Sequence, residues 1–180
     1  MRCFIALDFT RDFRDEIERV QKELEKKKVW GGKITERENL HLTLKFLGEI
    51  EESKAGEVRK KLREVKMKDF SCYLGNLGVF TPSQIKIVWA HIIGKEILEL
   101  QKKIDDSLKD LFAPEKRFMS HLTIARVKLV KDKKLFLEDI GKIKTQNLKF
   151  PVREFYLMKS ELTEKGPIYE EIEKFPLKQK

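Results

Sequence analysis

Asn39-Leu40-His41-Leu42-Thr43-Leu44-Lys45-Phe46 returns in altered form as Met119-Ser120-His121-Leu122-Thr123-Ile124-Ala125-Arg126. His-x-Thr thus occurs twice, about 80 residues apart, each time inside a run of apolar and β-branched residues that reads as a strand. Side chains alternate between the two faces of a strand, so His41 and Thr43 share one face while Leu42, Leu44 and Phe46 enter a core behind them. His121 and Thr123 share a face in the same way, backed by Leu122 and Ile124. The chain holds three histidines, and two of them stand in this matched setting. A single strand histidine is ordinarily a packed or surface residue; a duplicated His and Thr pair points to a site.

The flanks of the two motifs repeat as well. Cys3 to Leu7 reads as a buried strand, Asp8-Phe9-Thr10 as a turn with Thr10 at a helix N-cap, and Phe13, Ile17, Val20 and Leu24 recur at helical spacing up to Lys26-Lys27-Lys28. Val29 to Lys33 reads as a loop in which Trp30 is an anchor or a base-stacking ring. The first motif strand runs to Leu47 and is followed by a helix with Ala55, Val58, Leu62 and Val65 inward. Strand material over Phe70 to Leu74 and Leu77 to Phe80 is broken at Gly75-Asn76, and Thr81-Pro82-Ser83 is a turn. Ile85 to Ile92 is then a strand, Ile97 to Leu111 a helix ended by Ala113-Pro114, and the second motif strand is followed by a short helix over Lys131 to Ile140. Phe150 to Leu157 reads as one strand with Pro151 at an edge, and Tyr169 to Phe175 as the last, ahead of a fraying tail, Lys178 to Lys180.

The order strand, helix, motif strand, helix therefore appears twice, within halves 1–82 and 83–180 of one domain spanning 1–180. A repeated half implies a pseudo-twofold arrangement of two lobes. Each motif strand would offer its His and Thr across a shared groove.

Thirty-nine Lys and Arg against 30 Asp and Glu leave a formal charge of +9. That balance suits a polyanion such as RNA, although a surface rich in Lys and Glu also describes thermostable ion-pair networks. Cys3 and Cys72 lie in strand-like runs and read as buried free thiols in a reducing cytoplasm. The apolar run after Met1 is short and is cut by Asp8, and no stretch reaches membrane-spanning length, so a soluble cytoplasmic monomer is expected. There is no cysteine metal pattern, Walker loop, dinucleotide glycine pattern or nucleophile elbow. A metal site joining His91 to the other two histidines lacks companion ligands at a suitable spacing, so no metal or cofactor is expected.

Histidine titrates near pH 6.5, so of two copies one can be neutral while the other is protonated. Two imidazoles on opposite sides of one bond can act as general base and general acid in the same turnover. A threonine hydroxyl beside each is suited to nonbridging phosphoryl oxygens. This arrangement fits in-line displacement at phosphorus.

The paired motifs, extended by Leu47-Gly48-Glu49, resemble the two-histidine phosphoesterase superfamily, and within it the RNA 2′,3′-cyclic phosphodiesterases first named 2′-5′ RNA ligases. Phe4-Ile5-Ala6-Leu7-Asp8, Gly78-Val79-Phe80, Val88-Trp89-Ala90, Lys159-Ser160-Glu161-Leu162 and Gly166-Pro167-Ile168-Tyr169 fit the same family, so the resemblance covers nearly the whole chain. It implies a bilobal α+β fold, each lobe an antiparallel sheet with flanking helices and a groove between the lobes, and hydrolysis of RNA 2′,3′-cyclic phosphate ends to 2′-phosphates without metal. His41 would be the proton donor to the leaving 3′ oxygen and His121 the acceptor that activates water. Thr43 and Thr123 would hold the phosphate. Arg126 matches a phosphate-binding arginine of the family, yet strict alternation turns it away from His121, so a bulge or the strand's end must redirect it. Ser120 replaces a frequent proline. Lys116 and Arg117 are candidates to steer an RNA end. The alternatives are ligation of a 2′,3′-cyclic phosphate to a 5′-hydroxyl, as between tRNA halves, and a non-catalytic RNA-binding module.

Overall fold

The computed structural model describes residues 1–164 and 166–178; the end of the expected fraying tail, Gln179 and Lys180, lies outside them. Nine strands and four helices are formed by the described residues: β1 (Arg2–Leu7), α1 (Arg11–Glu25), β2 (Trp30–Ile34), β3 (Leu42–Glu49), α2 (Glu52–Arg63), β4 (Phe70–Val79), β5 (Ile87–Ile93), α3 (Lys95–Ser107), β6 (His121–Val130), α4 (Lys133–Lys142), β7 (Lys149–Val152), β8 (Glu154–Thr163) and β9 (Gly166–Pro176). They make two antiparallel sheets, of order β3-β1-β8-β9 and β2-β6-β5-β4-β7. The fold is α+β, as the family resemblance implies.

Each sheet is built around one repeat, with β1 beside β3 in the first and β5 beside β6 in the second. The remaining strands cross over: β2 leaves the first repeat to join β6, and β8 with β9 returns from the end of the chain to join β1. The helices cross too. Phe9, just ahead of α1, and Phe13 in its first turn stack on each other and pack edge-on and tilted against Phe150 of β7, so the helix after β1 covers the second sheet. The helix after β5, α3, packs on β3 and on α2. Apolar residues at helical spacing, Phe13, Ile17, Val20 and Leu24 on α1 and Ile97, Leu100 and Ile104 on α3, are all buried.

Four local readings need correction. The stretch Val29 to Lys33 is no loop: Trp30–Ile34 is an edge strand on β6, where Gly32 lies so close that a Cβ would meet the Arg126 carbonyl oxygen at 2.1 Å. Glycine hides the strand's side-chain period while permitting that approach. β4 runs unbroken through Gly75-Asn76, which form a bulge in the register with β5. Phe150 to Leu157 is two strands, because the chain passes between the sheets at Arg153. α3 stops at Ser107, and Leu108 to Phe112 continue as turns. Thr10 occupies the N-cap position of α1 without a side-chain hydrogen bond there.

Candidate active site

Both motif strands carry a bulge at the same point. In β3, Thr43 pairs with Ala6 and Lys45 with Ile5, leaving Leu44 extra; in β6, Thr123 pairs with Trp89 and Ala125 with Val88, leaving Ile124 extra. A bulge shifts the alternation by one residue. Leu44 and Lys45 are consequently both buried, as are Ile124 and Ala125, and the next residue turns to the other side. Arg126 is thereby returned to the face of His121 and Thr123, meeting the condition set by the sequence. The matching bulge in β3 overturns the expectation for Phe46, which is 66% exposed and does not enter the core, while Lys45 is only 4% exposed. Phe46 is the positional counterpart of Arg126.

His41, Thr43, Phe46, His121, Thr123 and Arg126 all line one groove of about 560 Å³. Main-chain carbonyls orient both imidazoles alike. His41 Nδ1 donates to the Asn39 carbonyl over 2.7 Å, and His121 Nδ1 to the Met119 carbonyl over 2.8 Å. A carbonyl only accepts, so each Nδ1 carries its hydrogen and each Nε2 is left for other work. Asn39 is itself tied by its amide to the Pro167 carbonyl at 3.0 Å, which binds the first motif to the start of β9. Ser120 holds the entry of the second: its hydroxyl donates to the Ile92 carbonyl, and the Ile92 amide donates to the Ser120 carbonyl over 3.2 Å.

The surroundings of the two rings differ. His41 sits between Phe4, with centroids 4.8 Å apart, and Tyr169, edge-on at 4.9 Å. Burial there lowers its pKa to about 4, against which the bond to Asn39 works in the opposite direction. His121 meets one ring, Phe80, edge-on at 4.8 Å, and burial lowers its pKa as well.

Two buried polar groups brace the bulges, each from a helix of the other repeat. Gln21 of α1 donates from Nε2 to the carbonyls of Ile124, at 2.9 Å, and Thr35, at 2.8 Å; the Thr35 amide also reaches the Ile124 carbonyl at 2.9 Å. Asp105 of α3, flanked by Ile104 and Leu108 as Gln21 is by Val20 and Leu24, forms a buried ion pair with Lys45. Lys45 Nζ also donates to the Ala113 carbonyl at 2.8 Å, and Asp105 accepts from the Glu115 amide at 2.7 Å. The first bulge is thus linked to the segment that leads into the second motif.

Other candidates lie elsewhere. Trp30 anchors β2, donating to the Leu24 carbonyl at 2.9 Å and packing against Phe136. Lys116 and Arg117 are exposed outside the groove lining. His91 pairs directly with His121 across β5 and β6 and is exposed. Among the described residues no three His, Cys, Asp or Glu side chains are grouped to hold a metal ion. Groove residues that the motifs did not reveal are Phe4, Phe46, Thr35, Ser160 and Tyr169. The 80-residue offset to Arg126 could have found Phe46; Thr35 lies just after β2, and Phe4, Ser160 and Tyr169, though in stretches that fit the family, stand on strands distant in sequence from the motifs.

A family profile described as LigT like Phosphoesterase matches residues 7–89 and again 90–169. An RNA 2′,3′-cyclic phosphodiesterase of Methanocaldococcus jannaschii is 36% identical over 97% of this chain and 100% of its own length. One of Archaeoglobus fulgidus is also 36% identical, over 97% of this chain and 99% of its own. Among solved structures, TT0787 of Thermus thermophilus superposes with a TM-score of 0.82 at 26% identity, covering 98% of this chain and 97% of that one. E. coli LigT, at 21% identity, shares the fold with a TM-score of 0.80 over 99% of this chain and 98% of its own.

Proposed function

Since the chain belongs to the LigT-like phosphoesterase family, we propose that it hydrolyses the 2′,3′-cyclic phosphate at an RNA end to a 2′-phosphate, as a monomer and without metal. The observation that carries this reading is the matched pair of bulged strands, which bring two imidazoles with the same free nitrogen, two threonines and one arginine to a single groove. The curated relatives named for this reaction support the choice of substrate.

In the proposed reaction His121 Nε2 takes a proton from water as the water oxygen bonds to phosphorus. The bond from phosphorus to O3′ breaks on the opposite side, and His41 Nε2–H protonates the leaving oxygen. Thr43 and Thr123 donate to the nonbridging oxygens, and Arg126 offsets their charge with a planar donor fork. Burial keeps His41 neutral in the free protein near pH 7. The phosphate anion favours the protonated imidazole beside it, so the substrate itself helps create the acid.

The test is a short RNA ending in 2′,3′-cyclic phosphate, incubated with the protein in EDTA. Accumulation of the 2′-phosphate at an undiminished rate is the expected result. A 3′-phosphate product would reverse the leaving group, and loss of turnover that a divalent ion restores would overturn the metal-free mechanism.

A further inference from the structure

The second sheet presents an open face that continues past the groove. On β5 the residues Trp89, His91 and Ile93 alternate with the buried Val88, Ala90 and Ile92, and His91 stands opposite His121. Two glycines of β4 make room for this row to lie flat. A Cβ on Gly78 would fall 2.4 Å from the Trp89 ring, and one on Gly75 would fall 2.9 Å from Ile93 Cδ1. Glycine inside a strand is unfavourable in itself, by roughly 0.5–1 kcal/mol relative to Ala; here it lets an indole and an isoleucine pave the neighbouring strand. Phe80, 47% exposed, joins Trp89 to His121, with centroids 5.8 and 4.8 Å away. At the other end stand Ile93 and its cross-strand partner Tyr73, 47% and 37% exposed.

Tyr73 and Ile93 form the rim of a second depression, of about 920 Å³. Its lining brings Lys66, Lys68, Lys95, Lys103, Lys149 and Arg153 against three carboxylates, Asp69, Glu96 and Glu99. Among the described residues only Lys103 of these cations forms an ion pair, with Glu99 at 3.7 Å. From Trp89 to Ile93 is four residues, about 14 Å along the strand. A sheet face with two exposed rings, Phe80 and Tyr73, and a half-buried indole between them, leading from a phosphate-handling groove to a pool of unpaired cations, has the chemistry that binds single-stranded RNA: rings stack bases and cations follow phosphates.

We propose that this face is the track for the RNA strand behind its reacting end, running from His121 over Trp89 and Ile93 to the lysine-lined depression. The proposal rests on the RNA reading of the groove. Its occupant is a single strand, since a duplex hides the base faces that Phe80, Trp89 and Tyr73 would stack.

The test is binding, which needs no turnover and so stands apart from the fate of the cyclic phosphate reaction. A fluorescent 12-nucleotide RNA ending in 2′-phosphate and a dinucleotide with the same end are titrated against the wild-type chain, Lys66→Glu/Lys68→Glu/Lys149→Glu and Tyr73→Ala. The triple variant should bind the 12-mer on the order of tenfold more weakly, with a shallower salt dependence. Tyr73→Ala should weaken it about fivefold or more, and the dinucleotide should be unaffected by either change. The proposal is overturned if the wild type holds the 12-mer no better than the dinucleotide, if both variants bind the 12-mer as the wild type does, or if an acidic peptide or a duplex occupies the depression in place of single-stranded RNA.

Discussion

The two sides of the groove are the same strand device set in different surroundings. On one side His41 is walled by Phe4, Tyr169 and, beyond them, Phe46; on the other, His121 has Phe80 at its edge and Arg126 further along its strand. The bulges place Phe46 and Arg126 at equivalent positions, so the repeat sets where these groove residues stand and their side chains set the chemistry. A symmetric scaffold thus offers one imidazole packed between two aromatic rings and another with a single ring at its edge. The proposed acid and base need different environments, and this asymmetry is consistent with that assignment.

The most severe way to break the pair is to remove either ring. His41→Ala and His121→Ala should each lose on the order of a hundredfold to ten-thousandfold in turnover of a cyclic phosphate. They should separate when the leaving group is good. A substrate whose 3′-side oxygen departs without a proton should partly restore His41→Ala and leave His121→Ala impaired. Equal restoration of both variants would dissolve the assignment of roles.

The braces of the two bulges also differ, and stability measurements should resolve them. Lys45→Met leaves the Asp105 carboxylate buried without its cation, a change that ordinarily destabilises by about 3–5 kcal/mol. Gln21→Leu leaves the Ile124 and Thr35 carbonyls without a side-chain donor, at about 1–3 kcal/mol. Urea unfolding should rank the two in that order, and Lys45→Met combined with Asp105→Asn should recover part of the larger loss. Equal effects, or no recovery in the double variant, would mean that the ion pair does not brace the first bulge.

Much of this arrangement is legible because a repeated His-x-Thr carries its own phase. The sequence demands a bulge or the strand's end to bring Arg126 round, and a bulge is there at Ile124. No such demand arises at Leu44, so Phe46 reads as a core residue and the burial of Lys45 goes unsignalled. An apolar residue in a strand gives no warning that its phase has slipped, whereas a charged one does. The crossing of strands between sheets is illegible for another reason. Nothing local in Gly31-Gly32 or around Arg153 states which sheet will receive the next segment; that depends on pairing with β6 and β1, far away in the chain. Tyr169 and Phe4, which set the character of His41, are brought in by the same remote pairing.

The finest distinction between the two sides lies in protons. His41, lowered to about 4 by burial, should stay neutral in the folded chain at pH values where the unfolded chain, near 6.5, already takes a proton. Between those values the unfolded state binds more protons, so folding stability should fall as pH drops from 6.5 toward 4. At 1.36 kcal/mol per unit, and discounting for the ring's partial exposure, the loss is on the order of 2 kcal/mol. His41→Gln has no such proton to take up, so the stability gap between wild type and variant should narrow or reverse across that interval. Parallel stability curves for the two would show that the aromatic wall does not hold the ring neutral. An NMR titration of the imidazole carbons adds the ligand's part. In the free chain His121 should protonate at a higher pH than His41, because its ring is less deeply enclosed. Addition of a nucleoside 2′-phosphate should move both upward, and His41 further, since it begins with the greater deficit of charge stabilisation. If His41 stays near 4 with the phosphate bound, it cannot be the acid at neutral pH, and the proton for the leaving oxygen must come from the other side of the groove.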